Sequence, residues 1–253
     1  MSKVDFGTKK VYHCAMRRFF GKIENGMAKI EGDEFVHFKT VLRGKVGEDI
    51  IIYDGSEKVY MCKTVQMTKT QAVCEILDTK ICEGLPKKNI VLFQALAKKD
   101  KMELILQKAV ELGVSEIIPF ESEFCTVKNS ENKKDRLEKI VISACKQCER
   151  SVPMKVEETL SFEKFVERLK SFKKLDSNII LFANERAGEN FDFSKLKSIV
   201  NIAIVVGTEG GFSQKEKGCL EKICESISLG KRILRSESAS IVLCGIASII
   251  GEN

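Results

Sequence analysis

The chain has 253 residues, 43% of them hydrophobic, with 42 Lys and Arg against 36 Asp and Glu for a net charge of +6. That is enough for one large domain or two modest ones with a substantial core, and no repeat or low-complexity segment interrupts it. No apolar stretch approaches membrane-spanning length and the N-terminus lacks the apolar run of a secretory signal, so a cytoplasmic protein with reduced thiols is expected and no membrane partner.

The charge is uneven. Residues 1–45 hold ten Lys or Arg against five acidic residues. A basic face suits a polyanion such as RNA, although a solvated lysine-rich surface gives the same count. Cys145 and Cys148 form a lone C-x-x-C without a second pair at zinc spacing, and both fall on the apolar stripe of a predicted helix. They read as small core residues rather than ligands. With His13 and His37 the only histidines, no metal is expected.

Residues 11 to about 80 read as β-rich. Asp49 to Tyr53 and Lys58 to Lys63 flank Asp54-Gly55, a hairpin signal, and Gln71 to Leu77 adds a third strand. Between Gly32 and Leu42 a short helix is expected, capped by Asp33, with Phe35, Phe38 and Leu42 on one face. A compact barrel with one small helix fits these pieces. Residues 81–88, carrying Gly84 and Pro86, read as a linker between domains 1–80 and 89–253.

Beyond it, strands and helices alternate. Ile90 to Leu96 is a buried-strand run. Asp100 is the expected cap of a helix with Met102, Ile105, Leu106, Ala109 and Val110 on one face, closed by Gly113. A strand over Val114 to Phe120, a helix through Leu137 to Cys148, a helix over Ser161 to Phe172 and strands over Asn178 to Ala183 and Asn201 to Val206 follow. Such alternation predicts an α/β domain with a parallel sheet. The last helix, Glu237 to Gly251, is apolar nearly all round, which predicts burial on several sides and a subunit interface.

Two glycine-punctuated loops precede helices in this half. Gly207-Thr-Glu-Gly-Gly-Phe-Ser213 follows the strand ending at Val206, and Ser213 with Glu216 forms a capping box. Leu229-Gly-Lys-Arg-Ile-Leu-Arg-Ser-Glu-Ser-Ala239 follows a strand expected over Ile227 to Leu229, with Ser236 as the N-cap of the last helix. Neither loop carries G-x-G-x-x-G or G-x-x-x-x-G-K-[ST], and Glu209 would repel a phosphate. A neutral or cationic ligand read by main-chain groups fits better, and S-adenosylmethionine has that character. For a single such loop, tight turns with no ligand are the better explanation.

The run Val205 to Ser213, followed by Leu229 to Ala239, resembles the two cofactor loops of the 16S ribosomal RNA (uracil-N3)-methyltransferase family of the SPOUT superfamily. Arg17-Arg-Phe-Phe20 and His37 to Asp49 resemble the family's N-terminal domain, and Gln94 to Met102, Gln107 to Val114 and Gln147 to Pro153 resemble the start of its catalytic domain. Thr208 stands where the family usually has Pro, and Arg235-Ser-Glu-Ser-Ala239 where it commonly has Arg-Thr-Glu-Thr-Ala.

The resemblance implies a C-terminal SPOUT-type parallel sheet with a trefoil knot, plus a small PUA-like β-barrel that binds RNA. It implies S-adenosylmethionine as cofactor, 16S rRNA or the small ribosomal subunit as partner, and a homodimer with the site near the subunit boundary. Gly207, Gly210, Gly211, Leu229, Gly230, Ile233, Leu234, Ser236, Ser238 and Ala239 would line the cofactor. Arg235, Glu209 and Glu237 are the candidate catalytic residues, with Glu237 equally readable as a residue that only supports its helix. Arg18, Arg43, Lys45 and Arg150 are the candidate RNA contacts. A non-catalytic RNA-binding assembly factor, or a SPOUT enzyme acting on another RNA, are the rival readings.

Overall fold

The computed structural model describes residues 16–127, 134–175, 177–187 and 191–252; His13 lies outside them. The chain divides into two compact units. One comprises residues 1–85 with 149–152, the other residues 86–148 and 153–253.

The first unit is a six-stranded sheet in the order β1-β4-β5-β6-β3-β2. Its strands are β1 (Arg18–Phe20), β2 (Lys22–Glu24), β3 (Met27–Glu31), β4 (Asp49–Tyr53), β5 (Lys58–Met67) and β6 (Gln71–Ile81). The expected hairpin is β4 and β5, antiparallel across the Asp54-Gly55 turn. Among the described residues of this unit, only β1 and β4 pair in parallel. Register shifts between Met61 and Cys62 and between Thr64 and Gln66 interrupt the long β5–β6 ladder. Bulges of this kind bend strands, and the sheet curls into a half-barrel.

Inside the curl pack Phe19, Ile30, Ile50, Ile52 and Cys74, with Phe35 and Phe38 from the helical segment. That segment is a short α1 (Gly32–Val36) running into a π-helical turn, His37–Val41. Asp33 is not its cap. It sits in the first turn behind Glu31, where an acidic side chain meets the positive end of the helix.

The second unit is a six-stranded, wholly parallel sheet in the order β12-β10-β11-β7-β8-β9. Its strands are β7 (Asn89–Ala95), β8 (Glu116–Phe120), β9 (Lys155–Val156), β10 (Asn178–Ala183), β11 (Asn201–Val206) and β12 (Glu225–Ile227). The central strands read as unbroken apolar runs because both faces are covered. The helices are α2 (Lys99–Glu111), α3 (Lys134–Cys148), α4 (Phe162–Lys173), α5 (Gln214–Leu220) and α6 (Ser236–Glu252), with a 3-10 turn over Phe193–Ser198. On one face Phe93, Phe120, Phe165, Phe182 and Phe212 form an aromatic core, with Phe120 and Phe165 stacked at 3.9 Å. On the other, α6 packs against β7, β11 and α2.

Three expected boundaries move. Asp100 lies in the first turn of α2 and Lys98 occupies the cap position, so Asp100 acts on the helix dipole rather than as a cap. The last strand is Glu225–Ile227, which leaves Leu229 in the loop beyond it. Ser236 is the first residue of α6, and its hydroxyl is committed elsewhere, as described below. Cys145 is buried on α3 and Cys148 half-buried, as their apolar stripe predicts.

Candidate active site

β10, β11 and β12 lie side by side and point the same way, so their C-terminal ends open on one crevice. Ligands of open parallel sheets bind outside such ends. A cavity of about 400 Å³ lies there, within the roughly 300–1,000 Å³ of small-molecule sites. Its walls are largely main chain: Phe182 to Glu185 after β10, Val206 to Phe212 after β11, and Leu229, Gly230 and Arg232 to Ser236 after β12. Ala239 closes it from α6.

The first glycine loop is a turn in which the Gly211 amide is donated to the Thr208 carbonyl at 3.0 Å. A Cβ at Gly207 would lie 2.8 Å from the Phe212 ring, so only glycine lets the ring fold back beneath the loop. Gly211 follows at φ +71°, a left-handed conformation that glycine adopts without strain. Beyond the turn the expected capping box is present. Ser213 accepts from the Glu216 amide, and Glu216 Oε2 accepts from the Ser213 amide. Glu216 Oε1 accepts from the Glu123 amide at 2.9 Å, which ties the loop after β8 to the same corner.

The second wall is held by Ser236. Its hydroxyl is donated to the Gly207 carbonyl at 2.6 Å and accepts from Gln94 Nε2 at 3.1 Å. Ser240 donates to Gln94 Oε1. Gln94 is wholly buried, the one polar residue in the β7 run Ile90 to Leu96. A polar group there needs partners, and these hydroxyls supply them. The network joins β7, the first glycine loop and the head of α6.

Of the residues expected at the cofactor, Gly207, Gly210, Gly211, Leu229, Gly230, Ile233, Leu234, Ser236 and Ala239 line the cavity. Ser238 does not; it lies half-buried on α6. Arg235 lines the cavity and makes no ion pair or hydrogen bond from its side chain among the described residues. Glu209 also lines it, 2.6 Å from Lys101 on α2. The hydrogen bond from Lys101 holds the Glu209 carboxyl below the ordinary carboxylate range. Glu237 is not on the cavity wall, but lies 3.6 Å from the same ammonium.

The sequence reading missed the β10 wall, where Lys217 reaches across from α5 to Glu185 at 3.3 Å. Burial pushes the Glu185 carboxyl up, but main-chain and Lys217 hydrogen bonds outweigh it and the group stays below its ordinary value. Asn184-Glu185 follows an apolar strand without any glycine, so no turn signal marked it.

The expected RNA contacts divide. Arg43 and Lys45 are exposed, and neither side chain has a partner among the described residues. Arg18 pairs with Glu149 at 2.6 Å. Arg150, expected at the RNA surface, is 5% exposed and donates Nε to the Val152 carbonyl at 2.7 Å. Both are committed within the first unit.

One unit carries a crevice at three parallel strand ends, walled by main chain and holding an arginine whose side chain has no partner among the described residues, and the other unit of the same chain is a half-barrel. These are the parts of an RNA methyltransferase. The family model described as an RNA methyltransferase domain matches residues 84–248, and the one described as an RNA methyltransferase PUA domain matches residues 30–77. The chain belongs to that family.

Its relatives include ribosomal RNA small subunit methyltransferase E of Rickettsia conorii, 30% identical over 236 residues that span 91% of this chain and 93% of that protein. The protein of the same name from Mesomycoplasma hyopneumoniae is 35% identical over 211 residues, 82% of this chain and 87% of that one. Among solved structures, the small subunit methyltransferase E of Neisseria gonorrhoeae bound to S-adenosyl methionine superposes with a TM-score of 0.78 at 29% identity, covering 90% of this chain and 95% of that one.

Proposed function

We propose that this protein methylates N3 of a uridine in 16S rRNA of the small ribosomal subunit, with S-adenosylmethionine as donor. The cavity carries the reading: both glycine loops line it, in a chain 29% identical to a ribosomal RNA methyltransferase solved with that cofactor. The residues present fit the molecule. The walls offer main-chain groups to an adenine, and the carboxylates Glu185 and Glu209 suit a cationic ligand better than a phosphate.

Bound there, the cofactor supplies a methyl group on an electrophilic sulfonium. The protein's task is to bring N3 in line and to accommodate its proton and the charge on the ring. Arg235, a free cation on the cavity wall, stabilises the uracil oxygens as negative charge develops. Glu209 and Glu237 supply the carboxylates near the reacting base. In the first unit Arg43 and Lys45 contact RNA phosphates, while Arg18 and Arg150 brace the surface that presents them.

The chain leaves edge strand β12 and returns to lay α6 on β7 and β11 in mid-sheet, which supports the trefoil knot as its path. Val242 and Ile249, two helical turns apart on α6, are 39% and 57% exposed, and support a homodimer through this helix. No helix among the described residues is long and apolar enough to cross a membrane, in keeping with work on ribosomal subunits in the cytoplasm.

The test is methyl transfer from labelled S-adenosylmethionine to small subunits taken from cells lacking the enzyme, with nucleoside mass spectrometry of the product. N3-methyluridine in 16S rRNA is expected. Label at another position or in another RNA would replace the assignment, and no transfer alongside intact cofactor binding would leave an RNA-binding assembly factor.

A further inference from the structure

Lys101 lies outside the glycine loops and outside the cavity wall, yet it touches both candidate carboxylates. Its ammonium is 2.6 Å from Glu209 Oε1 and 3.6 Å from Glu237 Oε2. Glu209 belongs to the first glycine loop and Glu237 to the first turn of α6, so one side chain on α2 reaches both walls of the site. Glu237 Oε2 is buried and accepts no hydrogen bond among the described residues, where this ammonium is the cation that offsets it. Glu209 raises the Lys101 ammonium above its ordinary value, and Lys101 lowers the Glu209 carboxyl, so this pair is charged across the neutral range.

We propose that Lys101 is a positioning residue of the methyltransferase site. It fixes the first glycine loop against α2 and α6, and it holds the charge of the Lys101–Glu209–Glu237 cluster at one net negative rather than two. The inference rests on the methyltransferase reading given above. Its consequence is a split between two ligands of opposite charge. A second uncompensated carboxylate attracts a sulfonium and repels RNA. Loss of Lys101 loosens the loop but adds attraction for the sulfonium, and the two effects offset each other in cofactor binding while both impair use of RNA, whereas a merely structural lysine would weaken both ligands alike.

The experiment compares the unaltered protein with Lys101→Met, Lys101→Arg and Lys101→Met combined with Glu209→Gln. Calorimetry with S-adenosylmethionine, melting of the cofactor-free protein, and kcat and KM for small subunits are measured on each. Lys101→Met is expected to keep the cofactor Kd within about threefold and to lower kcat/KM for subunits about tenfold or more. Lys101→Arg restores most of that loss. Adding Glu209→Gln to Lys101→Met is read on KM alone, since Glu209 is itself a candidate catalytic carboxylate: KM for subunits falls back part of the way because one uncompensated charge is gone. Parallel loss of cofactor affinity and kcat/KM overturns the proposal, as does a double variant whose KM for subunits is no lower than that of Lys101→Met. If the unaltered protein transfers no methyl group to subunits, the functional reading fails by itself. Melting then still decides the clamp, which requires Lys101→Met to lower the midpoint and to lower it less in the Glu209→Gln background.

Discussion

At the scale of single residues, Arg43 is the most informative position in the first unit. It holds φ +52°, a left-handed conformation that costs a non-glycine residue about 1 kcal/mol. Its neighbour Gly44 packs so closely on the Phe38 ring that a Cβ would sit 2.1 Å from it, so the turn itself is fixed by packing. A glycine at 43 would relieve the strain. The arginine that stands there is exposed, and its side chain has no partner among the described residues. Relief of that strain is offset by the greater freedom of glycine in the unfolded chain, so Arg43→Gly is expected to leave stability unchanged or raise it by up to about 0.5 kcal/mol in thermal or denaturant melts. The same variant should weaken RNA binding and flatten the slope of log K against log salt by about one. A lower melting point with unchanged RNA affinity would give the guanidinium a structural task instead. The charge of this residue was legible in the sequence and its backbone strain was not, because φ at 43 follows from the seating of Phe38.

At the scale of elements, the strand and helix periods were legible because each is a local pattern. The β4–β5 hairpin, the apolar face of α2 and the capping box at α5 follow from residues within a few positions of one another. Helix starts were less legible. Asp33 and Asp100 resemble caps in composition, and both sit two residues past the cap position in the first turn, where the dipole favours the same side chain. Ser236 also resembles a cap, but Gln94 and the Gly207 carbonyl, far away in sequence, claim its hydroxyl. Lys101 and Glu209 are 108 residues apart, and nothing near either one announces the other. The Gln94 network has a direct test. Gln94→Leu leaves Ser240 without its amide acceptor and Ser236 without its donor, and should destabilise the protein by about 1–3 kcal/mol. Because Ser236 anchors the Gly207 carbonyl, cofactor affinity should fall as well. A Leu variant that binds cofactor normally would show that the glycine loop holds its shape unaided.

At the scale of the whole molecule, the division into a β-rich part and an alternating part was visible as a change of period near residue 89. The return of residues 149–152 to the first unit was not, since four residues after a helix carry no period at all. The all-round apolar character of α6 was visible too, and the structure sharpens it. Ala239, Leu243, Cys244 and Ala247 are buried on the side that packs against α2, β7 and β11, while Val242 and Ile249 stay exposed. Light scattering after size exclusion is expected to report a dimer at micromolar concentration, and Ile249→Lys a monomer that keeps its circular dichroism spectrum. A monomeric unaltered protein would remove α6 as an interface.

The cavity is assembled from the ends of three strands and the head of α6, spread over residues 182–239. No contiguous peptide from one strand end contains it, and a slip of any one strand would erase a wall. Occupancy by a ligand is thus a readout of sheet order itself. A simple competition assay for the cofactor can rank variants throughout this unit by how well they fold, including those far from any bound atom. Conversely, a loss of binding in such a survey identifies a chemical role only once the folded fraction has been measured separately.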